Sequence, residues 1–173
     1  MCIRDRPELR EKAAKVIEQS AKNVHASIVI GSPLDAEAVS YTHLYGIWPW
    51  FSEFMGGIRF TDYIPKFANA TVVVEDPSHP VMKNVVASFV VDQEEWYTYD
   101  KSPRPNVHVL ARVDETTYSP DTRTKMGDHP VIWTNEHYRA RNVYIFMGHH
   151  PELFQNHAFT TIFRNSIFWA AQR

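Results

Sequence analysis

The spacing of apolar residues changes several times along the chain, and the changes mark its elements. Residues 7–23 open with Pro7-Glu8 and place Leu9, Ala13, Val16, Ile17 and Ala21 at helical spacing, predicting a helix with one apolar face. A short strand over 26–30 follows and stops at Gly31-Ser32-Pro33. Residues 47–55 hold Trp48, Trp50, Phe51 and Phe54 and break at Gly56-Gly57, which predicts a short helix ending in a turn. Apolar, β-branched runs at 71–75, 85–91, 107–112, 131–134 and 142–147 predict five strands. Toward the end of the chain Phe159, Ile162, Phe163, Ile167 and Ala170 share one face, with Arg164, Asn165 and Gln172 elsewhere. That pattern predicts an amphipathic helix packed on the sheet. The polar stretches 97–106 and 116–128 carry Pro103, Pro105 and Pro120 and read as long loops. The His-Pro pairs at 79, 129 and 150 recur without a fixed period and read as turn or strand-entry signals.

Composition narrows the class without giving a function. The 173 residues, 20.1 kDa, are enough to bury a real core, roughly two-thirds of the unfolded surface. Eighteen Lys and Arg against twenty Asp and Glu leave a net charge of −2, so the basic footprint of a nucleic-acid binder is missing. The longest largely apolar run, 85–91, is interrupted by Ser88 and falls far short of the roughly 20 residues of a membrane-spanning helix. No apolar leader follows Met1, so no secretory signal is expected and the compartment defaults to the cytoplasm. The single cysteine, Cys2, excludes an intrachain disulfide and a CxxC metal site.

The common catalytic motifs are absent: there is no GxSxG elbow, phosphate-binding P-loop, GxGxxG or HExxH. Nine histidines are many for this length, and His129, His149, His150 and His157 offer imidazoles to a metal. Their spacing matches no established ligand set, and adjacent residues on a strand face opposite ways, so surface or structural roles are expected and no metal is assigned. Glu94-Glu95-Trp96-Tyr97 sets two carboxylates beside a large aromatic, where desolvation can fit one for acid–base work. The other reading is a solvated acidic turn with Trp96 in the core. Trp48, Trp50, Trp133 and Tyr97 can stack on a sugar ring or simply fill the core.

One set of motifs, taken in order, resembles a known family. Trp48-Pro49-Trp50-Phe51, Gly56-Gly57-Ile58-Arg59-Phe60, His79-Pro80, Glu94-Glu95-Trp96-Tyr97, His129-Pro130-Val131-Ile132-Trp133, Gly148-His149 and Ile167-Phe168-Trp169-Ala170 are collinear with the ThuA-like, or trehalose-utilisation, family. The resemblance implies the class I glutamine amidotransferase-like fold: a flavodoxin-like α/β three-layer sandwich with a mostly parallel sheet, incomplete at its amino terminus. It implies a domain over 45–173 that is the carboxy-terminal portion of a longer one. The hexapeptides 1–6 and 39–44 resemble translated sequencing-adaptor read-through, so residues 1–44 form a helix–strand segment of doubtful origin and the chain reads as a metagenomic fragment. Where many members carry a histidine after the glycine segment, this chain has Tyr63.

The functional expectation follows from the same resemblance. Glutamine hydrolysis needs a thiolate nucleophile on a strand-to-helix turn, and Cys2 lies in an adaptor-like peptide, so a glutaminase is rejected. Use of trehalose or related keto-disaccharides is implied, with a sugar as small-molecule partner, a dehydrogenase beside it and no cofactor. An active site belongs outside the carboxyl ends of the strands. His149 is the expected acid or base and Glu95 its partner or a sugar-hydroxyl acceptor. Tyr97, Trp133 and His79 are expected to bind substrate. The alternatives are a non-catalytic carbohydrate-binding module and an inactive fragment that self-associates through unpaired strand edges.

Overall fold

The computed structural model describes Lys15, residues 28–30 and residues 49–171. Apart from Lys15, which is helical, the expected helix over 7–23, the turn at 31–33 and the stacking candidate Trp48 lie outside the described residues. Among the described residues there are eight strands: β1 Ile28–Ile30, β2 Phe60–Tyr63, β3 Ala68–Val74, β4 Ser88–Glu94, β5 Tyr97–Tyr99, β6 His108–Ser119, β7 Pro130–Thr134 and β8 Asn142–Ile145. The helices α1 Pro49–Phe54 and α2 His157–Ala171 accompany them in the described part of the chain. Six strands form one sheet in the order β1-β8-β7-β6-β3-β4, and β2 and β5 form a separate ribbon.

The mostly parallel, flavodoxin-like sandwich expected from the resemblance is not what this chain builds. Only β1 and β8 pair in parallel among the described strands; β8-β7, β7-β6, β6-β3, β3-β4 and β2-β5 are all antiparallel. The connections explain the direction. Parallel neighbours require a crossover of a dozen or more residues, usually a helix. From β3 to β8 the chain instead turns back through short 3-10 turns and loops, and the next α-helix, α2, comes only after β8.

Antiparallel pairing leaves the sheet free to bury one face and wet the other. β4 alternates, with Phe89 and Val91 buried and Ser88 and Val90 exposed, whereas every residue of the central strands β7 and β8 is buried. Ala158, Phe159, Ile162, Ser166 and Ala170 form the buried stripe of α2. Asn156 caps that helix, its Oδ1 accepting the N–H groups of Ala158 and Phe159 at 3.0 and 3.2 Å, as a short polar side chain does at a helix start.

Two stretches read as loops are partly regular. Residues 97–106 contain β5 and a 3-10 turn at Arg104–Asn106, and β6 runs on to Ser119. The ribbon and the first helix are locked by α1's C-terminal turn. Gly56 sits at φ +96°, and a β-carbon there would meet Val107 Cγ1 at 2.8 Å and Pro103 Cβ at 2.9 Å. Both the left-handed backbone and the space therefore require glycine.

Candidate functional site

A β-bulge decides which acidic residue faces inward. Ala68 pairs with Glu94 and Ala70 with Val91, so β4 holds one extra residue between those pairs. Strict alternation after Phe89 and Val91 would turn position 93 into the core; the bulge shifts the phase and buries Glu94 instead. Gln93 takes up the distortion at φ +50°. Asn69 Oδ1 clamps it, accepting Gln93 N–H at 3.0 Å and Gln93 Nε2 at 3.2 Å. Beyond the bulge the chain is pinned again, since Trp96 is fully buried and donates Nε1–H to Ala68 carbonyl at 2.9 Å.

The Glu94 carboxylate, 1% exposed, meets the loop after β8. One oxygen accepts Gly148 N–H at 2.8 Å, and the other hydrogen-bonds to His149 Nδ1 and also accepts Glu95 N–H at 3.0 Å. Because a carboxylate only accepts, Nδ1 carries the shared hydrogen, which leaves Nε2 with the lone pair in the neutral ring. Glu95 Oε2 lies 3.5 Å from that Nε2, and the Glu95 side chain is 25% exposed. A buried carboxylate, an imidazole and a second, wetter carboxylate thus stand in line from the core to the surface.

Aromatic rings enclose this line. Tyr97 lies 5.0 Å from the His149 ring, Phe146 6.1 Å and Phe67 6.5 Å; Phe67 also meets His150 edge-on at 4.9 Å. Tyr97 packs between Phe60 and Phe146, each 4.9 Å away. Behind them Tyr144 shares a hydroxyl contact with Tyr99 at 3.0 Å, and burial pushes the Tyr144 phenol well above its ordinary range.

The structure therefore brings His149, Glu95 and Tyr97 together. Trp133 is 1% exposed and packs tilted against Tyr144 at 4.3 Å, so it supports the aromatic wall from behind and presents no surface to a ligand. His79 occupies a different place. Its Nδ1 accepts Val81 N–H at 3.2 Å, and its ring packs 4.8 Å from Trp169 of α2 and 5.7 Å from His108. Burial, and then His108, hold the His79 imidazolium below its ordinary range. Trp50, another stacking candidate, is buried against Phe54 at 4.9 Å.

The remaining histidines scatter. His129 is buried with Nδ1 on Glu115 Oε1 at 2.8 Å, His150 lies on Glu152 at 3.2 Å, and His157 opens α2. No group of three or more His, Cys, Asp or Glu is placed to hold a metal ion among the described residues. Reading the sequence alone singled out Glu95 and passed over Glu94 as the residue that orients His149. Phe67 was also missed, although its place one residue before Ala68, the register partner of Glu94, fixes it beside the site.

Comparison with known proteins places the chain. A family model described as ThuA, trehalose utilisation, matches residues 37–170. A search of curated proteins finds no match. Among solved structures, a ThuA-like protein of Bacteroides uniformis is similar at a TM-score of 0.69 and 27% identity, over 92% of this chain and 74% of that one. A ThuA-like protein of Parabacteroides merdae shares the fold at a TM-score of 0.64 and 14% identity, over 94% of this chain and 68% of that one. The metagenomic-fragment reading gains no support from either likeness. The family model spans more than half of the chain, from upstream of α1 to the last turn of α2, and the chain belongs to the ThuA family.

Proposed function

We propose that the chain processes a disaccharide of the trehalose type in its oxidised, keto form, with His149 as the acid–base group. The observation that carries this reading is the pairing of His149 Nδ1 with the buried Glu94 carboxylate, which directs Nε2 toward Glu95 and the surface. An imidazole so oriented is suited to remove a proton from carbon beside a ketone. The proton passes to Nε2 and the C–H electron pair into the enolate. Return of that proton to the former carbonyl carbon, with the proton of the adjacent hydroxyl passing to the former carbonyl oxygen, gives the isomeric ketone. Where a glycosidic oxygen lies β to the carbonyl, the enolate expels it, and His149 Nε2 passes the proton it has just taken to the leaving oxygen, with Glu95 beside it. Tyr97 and Phe67 supply an apolar wall that limits water at the reacting carbon. Glutamine hydrolysis has no thiol for it among the described residues.

The test is product analysis with trehalose and its keto derivative, comparing wild type with His149→Ala. Conversion of the keto sugar by wild type, and its loss in a folded His149→Ala variant, is the expected result. Unchanged conversion in the variant removes His149 from the reaction. Saturable sugar binding without any product turns the site into a binding module.

A further inference from the structure

Among the described residues seven large apolar side chains are notably exposed, and they differ in what surrounds them. Phe168 lies under the Arg164 guanidinium at 5.6 Å, and Phe154 packs edge-on against Phe159 and Phe163 at 5.2 and 5.7 Å. Val86 precedes the edge strand β4 and Val90 lies within it, where the Val90 carbonyl already accepts Asn156 Nδ2 at 2.8 Å. Tyr63 and Phe67 are different: they are 48% and 37% exposed, and both border the acid–base line.

The two rings reach His149 by separate routes. Phe67 lies beside it directly and through His150. Tyr63, at the end of β2, meets Tyr97 at 6.2 Å, and Tyr97 in turn meets His149 at 5.0 Å. Tyr63 also sits next to the exposed Asp62 carboxylate, which accepts the Tyr63 N–H at 2.8 Å and keeps further lone pairs facing water. Tyr63 is anchored by backbone pairing. Tyr63 pairs across the ribbon with Tyr97, and the following Ile64 donates its N–H to Trp96 carbonyl at 3.0 Å.

An exposed aromatic face beside carboxylates and an imidazole matches one ligand chemistry closely. A pyranose has a C–H face for the ring and a rim of hydroxyls for the polar groups, so one ligand satisfies both. We propose that Phe67 and Tyr63 are two stacking subsites flanking His149, one for each ring of a two-ring saccharide, with Asp62 and Glu95 receiving hydroxyls. This inference rests on the sugar-processing reading of the His149 site. It assigns the outer ring, and hence the preference for a disaccharide over a monosaccharide, to Tyr63.

Titration calorimetry of the whole chain with trehalose, its keto derivative and glucose tests it, using Tyr63→Ala, Phe67→Ala and the conservative Tyr63→Trp. Tyr63→Ala is expected to weaken disaccharide binding about tenfold and leave glucose binding unchanged, with Tyr63→Trp restoring it. Phe67→Ala is expected to weaken both. Disaccharide affinity that survives both alanine variants in folded protein overturns the two subsites while leaving the His149 reading intact. Failure of wild type to bind any of the three sugars overturns both.

Discussion

Nδ1 of His149 is hydrogen-bonded to a Glu94 carboxylate that is 1% exposed and is itself held by the Gly148 N–H at 2.8 Å. The Gly148 and Glu95 N–H groups fix that carboxylate, and the carboxylate in turn orients the imidazole. Replacing Glu94 by Gln keeps the shape but offers an amide N–H where Nδ1 needs an acceptor, which favours the wrong tautomer. Glu94→Gln is therefore expected to lower kcat by roughly 10²-fold or more with KM little changed. Steady-state kinetics on the keto disaccharide checks this, and a rise in KM at constant kcat would assign Glu94 to binding instead.

The bulge that presents Glu94 depends on Asn69. Asn69→Ala removes the acceptor for Gln93 N–H and Nε2 and leaves the φ of +50° at Gln93 unsupported. A loss of about 1 kcal/mol in denaturant stability is expected, together with a fall in kcat like that of Glu94→Gln. Loss of stability with full kcat would show that Glu94 stays in place without the clamp.

A second buried carboxylate governs the acid limb of stability. Glu115 lies 6% exposed and accepts N–H groups from Met126 at 2.6 Å and Gly127 at 2.7 Å, and pairs with His129 at 2.8 Å. Burial pushes its carboxyl upward, but the His129 and backbone hydrogen bonds outweigh it and hold the group below its ordinary 4.5. A carboxyl lowered on folding stabilises fully above the ordinary value and loses that stabilisation as pH falls through the folded one. Glu115→Gln is expected to cost about 3 kcal/mol at pH 7, and the gap from wild type should narrow as pH drops below 4.5. Urea melts at several pH values test this; a gap constant with pH would contradict it.

Trp133 separates packing from chemistry. Trp133→Ala empties a fully buried site against Tyr144 and is expected to cost about 3–5 kcal/mol. Trp133→Phe keeps an aromatic ring against Tyr144 and should retain sugar affinity. A large affinity loss in folded Trp133→Phe would place Trp133 against the ligand after all.

Much of the local structure is legible in the sequence, and the sheet's direction is not. β-branched runs mark β3, β7 and β8, and the apolar stripe marks α2, because burial on one face leaves a period that can be read. Strand direction is set by the connections, and loops that carry no helix write no such period. β6 extends past Arg112 through Asp114, Glu115 and Thr116, residues that look like loop until His129 is known to pair with Glu115. Glu94 was hidden for a similar reason. Alternation read from Phe89 and Val91 points to 93 and 95, and a one-residue bulge is invisible to that count.

Solvent isotope exchange tests most directly whether the His149 line moves protons at carbon. The chain is incubated with the keto derivative of trehalose in D2O, and deuterium in recovered sugar and product is followed by NMR. Deuterium entering beside the carbonyl with wild type, and no faster than the uncatalysed rate with folded His149→Ala, is the predicted result. Product formed without deuterium, or exchange equally fast in the variant, would contradict proton transfer by His149.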